Sequence, residues 1–356
     1  MKILIFVHNL TDGGAERVAV EWAKGFLQKG YTVGVVICCP LLTPISYTLP
    51  ETISLFNIYP NRVIPYLNQI TICVKLRRIL KKFRPDKFIS VHGMFIQLLA
   101  PLGLGIECIN TEHNAYERPE SAPMNKMINF RKFFLNKFYK KVTTLTTKDT
   151  LIARDYGING FYLPNPLAFE PLVDLPIKKK IILAAGRLDA GYCKGFDILI
   201  KAFAIASKNT DWLLQIAGSG SLQALNKYRN LAKDCGVEDR VVFVGFTNNL
   251  LEYYRNAEIF VLSSRYEGFG LVLIEAMSQG CACVACDYGG RQREIVGSDE
   301  NALCCTPDDI DGLASAMYLV MNSKELRLKL QKNAIERSKM FLTGKITDRW
   351  EEIFIS

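Results

Sequence analysis

Short apolar runs alternate with stretches of helical period along almost the whole of this chain, and that alternation restricts it to parallel sheets flanked by helices. Residues 2–7 (KILIFV) are continuously apolar, as a strand buried on both faces must be. A glycine pair follows. Ala15, Val18, Trp22 and Phe26 then recur at helical spacing, Gly30 acts as a stop, and YTVGVVI reads as the next strand. The runs DKFISV, IECIN, VTTLTT and FYLP continue the pattern. Prolines 164, 166, 171 and 176, followed by Lys178, Lys179 and Lys180, interrupt it and suit a linker. It restarts with IILAAG, WLLQIAG, RVVFVG, EIFVLS, CACVAC and NALCC. The predicted fold is α/β, with two doubly wound Rossmann-like domains at 1–170 and 171–342. A last short helix, 343–356, is expected to pack back on the first.

The length and apolar content, 356 residues and 49% hydrophobic, are enough for two separate cores and argue against disorder. No apolar run reaches the roughly 18 to 20 residues of a membrane-spanning helix, and MKILIFVHNL turns polar too early for a signal peptide, so a cytoplasmic location is expected. The eleven cysteines sit mostly in strand-like runs, as in Cys38-Cys39 and Cys304-Cys305, and read as reduced core residues. Cys281, Cys283 and Cys286 have no histidine or second cysteine pair nearby to complete a zinc site. Residues 1–170 carry 21 Lys and Arg against 12 Asp and Glu, while residues 171–356 carry 23 of each. The net charge of +9 therefore belongs to the first half and points to an anionic partner there.

In open parallel sheets ligands sit at the carboxyl ends of strands, which selects four loops. Gly13-Gly14 after the first strand lets a charged group approach a helix N-terminus, although such a pair also makes a plain tight turn. Arg187 and Lys194 in GRLDAGYCKGFD can neutralise a diphosphate, where the simpler reading is two solvated cations. EGFGLVLIEAMSQG places Glu267 on a glycine-broken loop and Glu275 inside the next helix, with the amides of Gly268, Phe269, Gly270 and Leu271 opening that helix towards a phosphate. Glu267 can meet a sugar hydroxyl and Glu275 both hydroxyls of a ribose. A charged residue in so apolar a helix needs a partner. His113 in TEHNAY, one of three histidines, ends a first-domain strand, where a structural role is the commoner fate. Asp309-Ile-Asp311 has the form of an acidic metal triplet, but it follows Thr306-Pro307 at a helix start, where Asp caps, and no catalytic metal is expected.

Taken together, GGAERVAVEWAKGFLQKGY, TEHNAY, LPNPL, AAGRLDAGYCKGFDILIKAFA, LQIAGSGSL, VVFVGFTNNLLEYYRNAEIFVLSSRYEGFGLVLIEAMSQG and GGRQREIV resemble the family 4 retaining glycosyltransferases. The likeness is to bacterial enzymes of lipid-linked oligosaccharide, O-antigen and capsule assembly. It implies a GT-B fold, with the two domains facing across a cleft, the first binding the acceptor and the second a nucleotide sugar. By the resemblance, Arg187 and Lys194 bind the donor diphosphate and Glu275 the ribose. Glu267 and the amides of Phe269, Gly270 and Leu271 hold the sugar and phosphates. Gly14 lies against the donor, His113 contacts the transferred sugar, and Gly218 and Gly220 border the base. It also implies retention of anomeric configuration without a protein nucleophile and without a cofactor. The stretch GRLDAGYCKGFD is longer than the family spacing.

The partners expected are a nucleotide sugar, with UDP favoured, and a lipid-linked glycan acceptor. The basic, aromatic-interleaved segments 75–87 and 126–141 suit an anionic membrane surface at the inner face of the cytoplasmic membrane, against the alternative of ordinary amphipathic helices. A nicotinamide dehydrogenase lacks its G-x-G-x-x-G after the first strand. A sugar-nucleotide epimerase of the same fold is nearer. A nucleic-acid binder would account for the basic half alone and leaves Arg187 and the paired glutamates unexplained. The sugar, acceptor, linkage and oligomeric state are not encoded in these patterns.

Overall fold

A computed structural model describes residues 1–11, 13–40, 45–60 and 67–356. The chain divides into two units, one of Met1–Ala168 with Leu342–Ser356 and the other of Phe169–Phe341.

The first unit runs β1 (Lys2–Phe6), α1 (Gly14–Gln28), β2 (Thr32–Ile37), β3 (Ser54–Asn57), α2 (Leu67–Phe83), β4 (Lys87–Val91), α3 (Phe95–Leu99), β5 (Glu107–Thr111), α4 (Lys126–Phe133), β6 (Lys141–Thr144), α5 (Thr147–Asp155) and β7 (Gly160–Tyr162). Its strands form one parallel sheet in the order β3-β2-β1-β4-β5-β6-β7. The apolar pattern does not announce β3, because SLFN lies at the sheet edge and is largely exposed. The order reverses at β1 and β4, so the loops after these two strands diverge and leave room for a ligand at their carboxyl ends.

Helix α1 buries Val18, Trp22 and Phe26 on one stripe. The chain's last helix covers that stripe. Trp350 meets Trp22 edge-on at 5.2 Å and Phe26 at 6.0 Å, while Lys29 pairs with Asp348 and Glu351 at the rim.

The second unit runs β8 (Lys179–Ala185), α6 (Gly191–Lys194), α7 (Phe196–Ala206), β9 (Leu213–Ala217), α8 (Leu222–Asp234), β10 (Val241–Gly245), α9 (Leu250–Asn256), β11 (Ala257–Leu262), α10 (Leu271–Ser278), β12 (Ala282–Cys286), α11 (Arg291–Val296), β13 (Ala302–Cys305), α12 (Ile310–Asn322) and α13 (Lys324–Ser338). The helix of the first unit that carries Trp350 is α14 (Thr343–Ile355). Six parallel strands take the order β10-β9-β8-β11-β12-β13, with the reversal at β8 and β11. Phe196, Leu199 and Phe203 of α7 pack with Leu214 and Ile216 of β9 in the core. Lys178 is not a solvated linker residue. Its ammonium donates to the carbonyls of Tyr254, Arg255 and Gln279 at 2.7 to 3.1 Å, closing the ends of α9 and α10.

Cys281, just before β12, and Cys283, within it, are fully buried, and among the described residues no group of three or more His, Cys, Asp or Glu is placed to hold a metal. No helix among the described residues is long and apolar enough to cross a membrane.

Candidate functional site

In the second unit, the loops at the carboxyl ends of β8, β9 and β11 meet. The long stretch after β8 winds through a 3-10 turn at Leu188–Ala190 and then through α6. These turns return Lys194 to the loop after β11, where its ammonium pairs with Glu267. Ser264 Oγ donates to the same Glu267 oxygen at 2.9 Å, and Ser263 Oγ donates to the Lys194 carbonyl at 2.9 Å. Burial opposes the charge on Lys194, but the Glu267 carboxylate outweighs it and holds the Lys194 pKa above its ordinary value. Arg187 is exposed at the start of the turn and holds no ion pair among the described residues. An unpaired cation therefore stands on the same loop as a lysine kept charged.

The loop after β9 carries Gly218 and Gly220 and packs on the same turn. Gly186 N donates to Ala217 O at 2.9 Å, and Leu188 N donates to Ser219 O at 2.8 Å. A Cβ on Gly218 would collide with the Gly186 carbonyl, so only glycine lets the two strand ends lie this close.

Glu267 and Glu275 separate sharply in environment. Glu267 is half-buried on its loop, whereas Glu275 is buried in α10 with one oxygen accepting from Tyr254 Oη at 3.0 Å. Gly270 caps α10 in the left-handed conformation, φ 88°, which a side chain would resist. No hydrogen bond among the described residues uses the amides of Phe269, Gly270 or Leu271. Orphan donors at a helix start attract an anion.

Sequence patterns missed the side chain that locks this loop. Arg265, nearly buried, forks onto Asp197 of α7 at 2.9 and 2.7 Å, reaches Asp308 at 2.5 Å, and donates to the Tyr192 carbonyl at 2.9 Å. It ties α6, α7 and the loop after β11 together, two residues before Glu267. The signal was an arginine inside a loop otherwise read for its glutamate. Asp309, the first acid of the triplet, accepts from Gly312 N at 2.8 Å and caps α12.

In the first unit, Gly14 is the exposed first residue of α1. His113 follows β5, with Nε2 3.0 Å from Thr111 Oγ1 and its ring 5.5 Å from Trp22 and 5.2 Å from His92. The Asn165 side chain lies within hydrogen-bonding reach of the ring. Beneath it lies a network that the sequence reading passed over. The Arg131 guanidinium binds both oxygens of buried Glu112 at 2.5 and 3.0 Å and reaches His92 Nδ1 at 3.2 Å. Asn136 Nδ2 donates to the same glutamate at 3.1 Å. Arginine can only donate, so His92 Nδ1 accepts and the proton of the neutral ring lies on Nε2. His92 also holds a positive φ of 54°, a strained backbone for a non-glycine residue. Burial first, then the charges of Arg131 and Lys132, push its pKa down to about 3. Burial likewise lowers His113 to about 3. Both imidazoles are neutral near pH 7.

The segment 126–141 is not one exposed basic face. Arg131 and Lys132 are buried, the latter donating to the Asn114 and Ala115 carbonyls, and Lys141 is buried against Glu107. Lys126, Lys137 and Lys140 remain exposed. In 75–87, Lys75 and Arg77 are held by the carbonyls of Tyr59, Ala100 and Leu102, while Arg78, Lys81, Lys82 and Arg84 face outward.

Residues 12–159 match the family model described as Glycosyltransferase Family 4, and residues 173–337 match that described as Glycosyl transferases group 1. An uncharacterized glycosyltransferase of Haemophilus influenzae is 30% identical over 99% of both chains. The Campylobacter jejuni N-acetylgalactosamine-N,N'-diacetylbacillosaminyl-diphospho-undecaprenol 4-alpha-N-acetylgalactosaminyltransferase is 28% identical over 97% of both. Among solved structures, an Anabaena protein in complex with UDP and glucose has a TM-score of 0.78 at 18% identity over 100% of both chains. Sucrose-phosphate synthase from Thermosynechococcus elongatus has a TM-score of 0.82 at 20% identity, covering 99% of this chain and 98% of that one. Two doubly wound units, matched in order by these two family models and end to end by a glycosyltransferase, make the chain a GT-B glycosyltransferase of family 4.

Proposed function

We propose that this glycosyltransferase moves a sugar from a UDP-sugar onto a polyprenyl-diphosphate-linked glycan, with retention of anomeric configuration and without a metal, while docked at the cytoplasmic face of a membrane. The observation that carries the donor half is the strand-end cluster of the second unit: exposed Arg187, charged Lys194 and the unused amides before α10. Three kinds of donor for negative charge on one cluster fit a diphosphate whose charge grows as the glycosidic bond breaks. Glu267, fixed by Lys194 and Ser264, keeps an oxygen for a sugar hydroxyl, and Glu275 serves the ribose. In this reading His113 of the first unit contacts the transferred sugar and Gly14 lies against the donor.

In this reading the acceptor hydroxyl forms its bond to the anomeric carbon on the face from which the diphosphate leaves. The hydroxyl proton passes to a phosphate oxygen, and Arg187 and Lys194 take up the charge released. No protein nucleophile is required. The lipid-linked acceptor is supported by the substrate named for the Campylobacter relative.

Thermal-shift screening against UDP-, GDP- and ADP-sugars tests the donor, since a ligand at a hundred times its dissociation constant adds about 2.7 kcal/mol. Transfer from the stabilising donor in EDTA, with the product anomer assigned by NMR, tests the rest. An inverted product, or turnover abolished by EDTA and restored by a divalent ion, would contradict the mechanism.

A further inference from the structure

The first unit carries an apolar groove that the donor and sugar contacts do not use. Its volume is about 550 Å3, and Phe95, Leu99 and Leu102 from α3 and the loop after it face Phe134, Phe138 and Lys140 from the segment between α4 and β6. That volume falls within the range of small-molecule sites, about 300 to 1,000 Å3. Three lining phenylalanines are joined through Phe130 into a ladder: Phe95 to Phe130 at 5.8 Å, Phe130 to Phe134 stacked at 5.0 Å, and Phe134 to Phe138 at 5.3 Å. These are not core residues short of cover in isolated spots. Leu99, Leu102 and Phe138 are 52%, 61% and 62% exposed on one concave surface, a concentration that soluble surfaces avoid unless something binds there.

The walls are held in place from behind. Arg77 donates to the carbonyls of Ala100 and Leu102 at 2.8 Å, and Tyr139 Oη donates to the Met94 carbonyl at 3.1 Å. The charge around the groove has one sign. Residues 93–106 and 121–141 contain no Asp or Glu, Lys140 lines the groove, and Lys137 beside it is exposed. An occupant with a long hydrocarbon chain and an anionic head matches both features.

Helix α4 links this groove to the polar cluster. It sends Arg131 inward to Glu112 and His92, and its Phe130 belongs to the ladder on the outer side. Lys137 and Lys140 at the groove mark where the anionic head of such an occupant lies. We propose that the groove holds the isoprenoid chain of the acceptor's polyprenyl diphosphate, with Lys137 and Lys140 at its anionic head. This rests on the lipid-linked acceptor of the preceding reading and adds where the lipid is gripped.

The test uses farnesyl diphosphate as a soluble isoprenoid, with inorganic diphosphate as the headgroup control. Vesicles of phosphatidylethanolamine and phosphatidylglycerol serve as the bilayer control. The full chain is expected to bind farnesyl diphosphate at least about tenfold more tightly than diphosphate, through burial of the chain. The paired variant Leu99→Ser with Phe138→Ser, one change on each wall and both at exposed positions, is expected to lose most of that difference. Its far-ultraviolet spectrum and its thermal shift with UDP should match the parent's. Equal affinity of the parent for farnesyl diphosphate and diphosphate would overturn the proposal, and so would a variant that still binds farnesyl diphosphate normally. Vesicle binding by a parent that ignores farnesyl diphosphate would also overturn it, making the patch a bilayer-insertion surface. A protein that binds farnesyl diphosphate in this groove but no nucleoside diphosphate sugar would leave the groove standing and remove the donor reading instead.

Discussion

Arg131 and Glu112 lie nineteen positions apart and form a two-point ion pair at 2.5 and 3.0 Å, both side chains nearly closed to solvent. Breaking such a pair strands a charge in the interior. Replacing both partners with apolar residues removes the charge along with its cost. Glu112→Ala is therefore expected to destabilise the first unit by about 3 to 5 kcal/mol, and the double change Glu112→Leu with Arg131→Met to recover most of the loss. Urea unfolding followed by a probe in the first unit measures both. A double variant no better than the single one would mean that the pair does not act as an isolated couple.

Glu275→Ala should weaken UDP binding itself, because the ribose contact proposed for it is made before any bond is broken. Loss of a charged hydrogen-bonding group costs about 1.5 to 3 kcal/mol. Glu275 also accepts from the buried Tyr254 hydroxyl, so its removal leaves that hydroxyl short of an acceptor as well. Tyr254→Phe is the control for that contact, since it removes the same hydrogen bond and leaves the carboxylate with its other contacts. Calorimetric titration should find Tyr254→Phe near the parent and Glu275→Ala at least about tenfold weaker. Equal affinities for all three proteins would remove Glu275 from the nucleotide site.

Arg187→Ala is expected to lower kcat more than it raises KM. An exposed cation with no ion pair among the described residues has no structural task to lose, and its attraction for the diphosphate grows towards the transition state. A change confined to KM would assign it to ground-state binding only.

Much of this arrangement is legible in the sequence because parallel strands buried on both faces must be written as apolar runs, and their ends then point to the loops that matter. Lys194 and Glu267 can each be nominated from their loops, although nothing local reveals that they touch across 73 positions. What escapes is pairing between distant charges. Arg131 and Lys132 stand among phenylalanines in a run with no acid and read as a surface, because their partners, Glu112 and two carbonyls, belong to another strand end. Arg265 escapes for the same reason, since Asp197 and Asp308 reach it only through the fold. β3 escapes because an exposed edge strand needs no apolar pattern.

The lowered pKa of His92 and His113 sets a pH dependence. Each is about 3 in the native state against 6.5 in the unfolded chain, so between these values the unfolded state binds more protons. The stability associated with the neutral rings is present above pH 6.5 and is lost as the pH falls towards 3. Unfolding of the first unit between pH 7 and pH 4 should therefore depend less steeply on pH in His92→Gln than in the parent. Parallel profiles would show that His92 titrates alike in both states.

We propose that docking on a membrane rests on α2 rather than on both of the segments 75–87 and 126–141. Ile70, Val74, Arg78, Lys81 and Lys82 recur at helical spacing, and all five are exposed, so one stripe presents two aliphatic side chains and three cations to solvent. An anionic surface attracts each Lys or Arg near it by about 1 kcal/mol, and apolar neighbours can enter the headgroup boundary. Arg131 and Lys132 cannot contribute, and changing them would test stability instead of docking. The triple variant Arg78→Ser, Lys81→Ser and Lys82→Ser should therefore keep the parent's thermal shift with UDP. It should lose most of its flotation with vesicles rich in phosphatidylglycerol. The parent should float with those vesicles at low salt, less at high salt, and not with vesicles of phosphatidylcholine alone, because the attraction is screened within a Debye length. Flotation of the triple variant equal to the parent's would remove α2 as the docking element. Failure of the parent itself to float would remove the membrane from the proposal and leave the donor site untouched.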